Sequence, residues 1–197
     1  METIIKSEYY TQYNPDQLSK IGNTIIYLSQ SIDKLSKTKL LKLLYILDEI
    51  SIKRSGIPIL NLKFKIWKFG PVSEDIFVEL SSEPSFLKEY FQKKIVGDNL
   101  YILPNGKFND DEFSQNDIDL MDFVINKFGN QSAKELISYT HRENSPWYNT
   151  AKKNSVLELL QNEQINNTEF VVDMGELVKY DKRKSALYED FILYHNV

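Results

Sequence analysis

The stretch from Ser36 to Gly56 (SKTKLLKLLYILDEISIKRSG) constrains the fold more than any other part of this chain. It starts at a capping Ser36 or Thr38 and stops before Gly56, which suits the left-handed position after a helix. One stripe carries Leu40, Leu43, Leu44, Leu47 and Ile50, and a second carries Leu41, Tyr45 and Ile52. A helix apolar on two sides packs on two sides, so this is the expected centre of the fold. Only a narrow strip through Lys39, Lys42, Glu49 and Lys53 reads as polar and solvated, with Glu49 and Lys53 at i,i+4 spacing.

The flanking segments supply layers around that centre. Asn14-Pro15 opens a helix with Leu18, Ile21, Ile25, Leu28 and Ile32 in one stripe. After Pro58 the period shortens: Leu62-Lys63-Phe64-Lys65-Ile66 alternates as a half-buried strand. It runs into Trp67-Lys68-Phe69-Gly70-Pro71-Val72, where Pro71 ends it and Ser73-Glu74-Asp75 begins a short helix reaching about Ser81. Tyr90–Val96 and Leu100–Leu103, about Gly97-Asp98-Asn99, read as a hairpin. Lys107–Glu112 is a polar loop.

Ser114 with Asp117, and Ser132 with Glu135, have capping-box spacing and start helices ending near Gly129 and Thr140. Ser145-Pro146-Trp147 starts another short helix. Asn154–Asn167 has a weak pattern, Phe170-Val171-Val172 is too short to type, and Lys184–Tyr194 reads as a closing helix. The expected fold is one α+β domain, mainly α-helical, with a small antiparallel sheet or hairpin, spanning residues 14–197 behind an N-terminal arm of residues 1–13. At 197 residues such a chain can bury an adequate core without staples.

Chemistry-bearing patterns are sparse. The chain has no cysteine, which excludes disulfides and thiolate chemistry and fits a reducing compartment. Neither a secretory leader nor a membrane-length apolar run is visible, so a soluble cytoplasmic protein is expected. His141 and His195 stand without metal-ligand spacing, and no phosphate loop or nucleophile elbow occurs, so no metal or cofactor is expected. Ser145 near His141 could form a hydrolase pair, but Ser145 is better explained as the cap of the helix that Pro146 begins. His141 falls at a helix end, where an imidazolium would favour the dipole. Trp67 and Trp147 are expected to be buried at corners. From Lys34 to Lys68 nine basic residues face only Asp48 and Glu49, in a chain whose net charge is −4. That block reads either as solvated surface or as a positive face for an acidic partner, with nucleic acid disfavoured by the acidic pI.

Three stretches occur in an order that resembles the Panacea domain of SocA-like antitoxins, over about residues 32–151. They are the helix through Lys42-Leu43-Leu44-Tyr45, then Trp67-x-x-Gly70-Pro71, then Thr140-His141 leading to Ser145-Pro146-Trp147. The resemblance implies a mainly helical bacterial or phage-associated antitoxin. It would neutralise a cognate protein toxin by direct contact, in some cases handing it to a protease system, with no established catalytic residues. Those twelve motif positions would mostly maintain the fold, with some as partner contacts.

Overall fold

A computed structural model describes residues 13–195, and the arm expected over residues 1–13 lies outside them except for Tyr13, which is buried. The elements in chain order are α1 (Pro15–Ser31), α2 (Lys37–Ser55), β1 (Lys65–Trp67), β2 (Gly70–Val72), α3 (Glu74–Ser81), β3 (Phe91–Val96), β4 (Asn99–Pro104), α4 (Gln115–Phe128), α5 (Ala133–Thr140), α6 (Pro146–Lys153), α7 (Leu157–Gln161), β5 (Asn167–Val171), a 3-10 turn (Met174–Leu177) and α8 (Lys182–His195). The molecule is mainly helical α+β, as the periodicity predicts.

Local chemistry sets most boundaries. Asn14 accepts the Gln17 N–H at 2.8 Å with Pro15 behind it, and Ser36 accepts that of Lys39. Ser114–Asp117 and Ser132–Glu135 each close a reciprocal capping box. Gly56, at φ 85°, ends α2.

Helix α2 is buried along nearly its whole length and touches α3, α4, α5, α8, β2, β4 and the 3-10 turn. Leu40, Leu43, Leu44, Tyr45, Ile46 and Leu47 expose at most 1% of their surface. Each such side chain contributes about 1.5–3 kcal/mol of burial. The predicted polar strip is the one feature of this helix the structure overturns. Lys39, Lys42 and Glu49 are buried, and only Lys53 of that strip is exposed. A helix enclosed on all sides has no wet face, so its polar residues must find partners inside.

Two small antiparallel sheets flank α2. One has the order β2-β1-β5, with Ile66 opposite Pro71. The other is the hairpin β3-β4, with Lys93 opposite Ile102. The strand predicted from Leu62 forms its ladder only from Lys65. The untyped run at Phe170-Val171 becomes β5 because β1 supplies its partner. Short helix α7 lies in the weakly patterned stretch, and the expected closing helix forms α8.

Candidate functional site

The buried polar residues of α2 act as spokes to the surrounding connections. Lys39 Nζ donates to the Gly129 carbonyl where α4 ends. Lys42 Nζ donates to the Pro71 carbonyl at 2.9 Å. Asp48 accepts the N–H groups of Leu60 at 2.7 Å and Leu62 at 3.1 Å, fixing the chain between α2 and β1. Glu49 pairs with Lys53 and with Arg142, just past α5. Arg142 also lies over the Tyr139 ring, 4.0 Å from its centroid, and donates to the Tyr139 carbonyl at 2.6 Å.

The family-like motif positions converge on the Lys42 spoke. Gly70, at φ +95°, lets β2 pass so close that an added Cβ would stand 2.7 Å from Thr140 Oγ1 and 3.2 Å from Lys42 Nζ. Pro71 follows it, buried, with its carbonyl turned to Lys42. Thr140 Oγ1 donates to the Ile137 carbonyl at 2.9 Å. Ser145 Oγ donates to the Thr140 carbonyl at 2.8 Å and accepts the Tyr148 N–H at 3.1 Å. Pro146 occupies the first turn of α6. The Trp147 indole stacks on His141, ring centroids 3.9 Å apart, and its Nε1–H donates to the Trp67 carbonyl at 3.2 Å. Leu43, Leu44 and Tyr45 lie in the core beneath, with Tyr45 edge-on to Phe64. All three motif stretches therefore meet in one place.

Electrostatics there follows burial. Desolvation brings the Lys42 ammonium down to about 7, against an ordinary value of 10.5. Burial, then repulsion from Lys42, pushes His141 down to about 4. The imidazole is thus neutral at pH 7, so the expected imidazolium at the helix end is not what this residue provides; it provides a stacking face for Trp147. Burial lifts Asp48 to about 6 against the opposing backbone hydrogen bonds. The Tyr45 hydroxyl, also raised by burial, lies near Glu49 but outside hydrogen-bond geometry.

The expected cap at Ser145 holds, while Trp67 and the basic block depart from expectation. The Ser145 hydroxyl is engaged as a helix cap and by the Thr140 carbonyl, and His141 packs on an indole, so the two do not form a nucleophile–base pair. Trp147 is buried as expected, but Trp67 is only half-buried, edge-on to Phe77. The basic block between Lys34 and Lys68 does not lie on the surface as a whole. Lys39 and Lys42 turn inward, Lys65 pairs with Glu74 and Glu169, and Lys68 pairs with Glu163.

Arg142, Glu49 and Asp48 belong to this framework, although periodicity alone singles out none of them as internal. The available signal was a helix with too many apolar positions to leave a wet side. Among the described residues, no group of three or more His, Asp or Glu side chains is placed to hold a metal ion, and no helix is long and apolar enough to cross a membrane. A groove of about 1010 Å³ runs past Lys20, Arg54, Asp117 and His195 and is lined by none of the motif positions.

Comparison with known proteins agrees with this arrangement. The family described as "Antitoxin SocA-like, Panacea domain" matches residues 40–148, more than half of the chain and the span that holds the convergent motifs. The protein named Antitoxin SocA, from Caulobacter vibrioides (strain NA1000 / CB15N), is 26% identical over 129 residues. That alignment takes in 64% of this chain and 66% of the relative, just under two thirds of its length. No solved structure matches. With the family match spanning the Lys42, Gly70-Pro71 and Thr140–Trp147 cluster, the chain belongs to the SocA-like antitoxins of the Panacea domain family.

Proposed function

We propose that this protein is an antitoxin that neutralises a cognate protein toxin, encoded by a neighbouring gene, through direct protein–protein contact in the cytoplasm. Membership of the SocA-like family carries this reading. The motif cluster adds a division of labour. Lys42, Gly70, Pro71, Thr140, His141, Ser145, Pro146 and Trp147 serve the interior, holding β2 and the α5–α6 connection against α2, with Leu43, Leu44 and Tyr45 beneath them. Trp67, half-buried beside the exposed Phe69, is the motif position best placed to reach a partner. Residues 14–197 act as one domain in this reading, because β5 pairs with β1 and α8 packs against α2.

The test is co-expression with the product of the adjacent gene. Growth arrest by that product alone, relief by this protein, and co-purification of the two as a stoichiometric complex are expected. Failure to relieve the arrest, with no complex recovered, overturns the proposal. The toxin's steady-state level separates two modes of relief: an unchanged level means masking, and a fall means delivery to a protease system.

A further inference from the structure

The turn into α8 carries charge that folding does not call for. Lys182, Arg183 and Lys184 fill the first turn of the helix with no acidic side chain among them. That is the positive end of the helix dipole, where carboxylates are favoured and cations are not. Asp181 answers only part of this, since its carboxylate accepts the Lys184 N–H at 3.1 Å and pairs with the Lys184 ammonium at 3.6 Å. Lys184 also donates to the Lys53 carbonyl at 2.8 Å, so it serves the body of the molecule. Lys182 and Arg183 are exposed and, among the described residues, make no ion pair and no side-chain hydrogen bond.

An aromatic ring stands beside these cations. Tyr180 is 91% exposed, and the Lys179 ammonium lies over its ring, 5.1 Å from the centroid. The turn is held from below, where Val178 is buried and accepts the Asp181 N–H at 2.8 Å. Lys179 and Tyr180 also border a recess of about 260 Å³ that Pro146, Asn149 and Leu177 help to line. Small-molecule pockets begin at about 300 Å³, so this recess has room for a partner's side chain rather than for a free ligand. The acid on its rim, Glu176, already accepts from Asn149 at 2.8 Å.

Resting on the antitoxin reading above, we propose that the turn from Lys179 to Lys184 docks an acidic segment of the toxin. Lys182 and Arg183 meet its carboxylates, and Tyr180 with the recess beside it takes an adjacent side chain. Local charge selects this occupant. Within six residues, Lys179, Lys182, Arg183 and Lys184 stand against Asp181. A twofold contact between two copies centred on Tyr180 would set this cationic turn against its own image. A nucleic-acid backbone is a longer polyanion, and Glu176 before the turn and Glu189 and Asp190 after it repel phosphates that run beyond it. A short acidic stretch of protein meets the cations without reaching those carboxylates.

The test uses the full chain and the adjacent gene's product. The variants are Lys182→Glu combined with Arg183→Glu, and Tyr180→Ser. Lys107→Glu combined with Lys134→Glu, at exposed positions elsewhere, makes the same change in net charge as a control. Carboxylates in the first turn of α8 favour the helix, so the charge reversal should leave the melting midpoint at or above the parent's. It should nevertheless weaken the complex about tenfold or more and impair growth rescue, as should Tyr180→Ser, while the control binds as the parent does. The parent's affinity should fall as salt rises, and the reversed variant's should depend on salt less. If the parent rescues growth and both turn variants rescue it equally, the docking surface is wrong and the antitoxin reading stands. If the parent itself rescues nothing and binds no toxin, both fall. A parent oligomer that the reversal disperses, or binding of the operon's own DNA that it abolishes, with toxin binding intact in either case, assigns the turn to that other occupant and overturns the inference.

Discussion

Lys42 shows how a single residue can be required by geometry and costly in charge. Its ammonium reaches only the Pro71 carbonyl and is wholly enclosed, so protonation is far harder in the folded chain than in the unfolded one. The folded value of about 7 lies below the unfolded 10.5, so the unfolded state binds more protons between them and stability rises with pH across that window. Lys42→Met removes this dependence. Urea unfolding should show the variant gaining on the parent by a few kcal/mol (~3–5 at most) at pH 7 relative to pH 10.5. His141 has the same sign in a lower window. With about 4 folded and 6.5 unfolded, its contribution is complete above pH 6.5 and is lost as pH falls toward 4. That loss is at most about 3 kcal/mol, less where solvent screens the ring. His141→Phe keeps a face for Trp147, so unfolding curves between pH 4 and 6.5 should flatten in the variant. Gly70 sits at φ +95° with Thr140 Oγ1 in the way, so Gly70→Ala should cost about 1–3 kcal/mol in the same assay.

The elements divide into those fixed by local chemistry and those fixed by contact. Ser145 bonds both the Thr140 carbonyl and the Tyr148 N–H in a buried setting, whereas Ser132 caps α5 at the surface. Ser145→Ala should therefore lower stability by about 2 kcal/mol, and Ser132→Ala by about 1 kcal/mol, in chemical denaturation. The caps at Asn14, Ser36, Ser114, Ser132 and Ser145 were legible because the donor and its partner stand three residues apart in sequence. Strand β5 was not, since Phe170-Val171 has no period of its own and becomes a strand only where Lys65 and Trp67 supply a ladder. Helix α8 forms where its pattern predicts, yet it contributes no fully buried side chain. It rests on the body through Lys184 Nζ, which donates to the Lys53 carbonyl, and through Tyr188 beside Gly175.

At the scale of the molecule, α2 joins α4, α5, β2 and the loop before β1 through Lys39, Glu49, Lys42 and Asp48, so the surrounding layers share one support. Unfolding followed by circular dichroism and by Trp67 and Trp147 fluorescence should give coincident transitions; separated midpoints would show two independent units. The helices other than α7, the hairpin and the central place of α2 follow from the order of the residues alone, because periodicity and caps are local properties. The sequence also carried the motifs whose order marks the family. Packing in space is what puts Lys39, Lys42 and Glu49 inside and makes His141 a neutral stacking partner. Each depends on what surrounds a side chain in space, and residues nearly a hundred positions apart, such as Lys42 and Thr140, have no spacing rule that could announce their meeting.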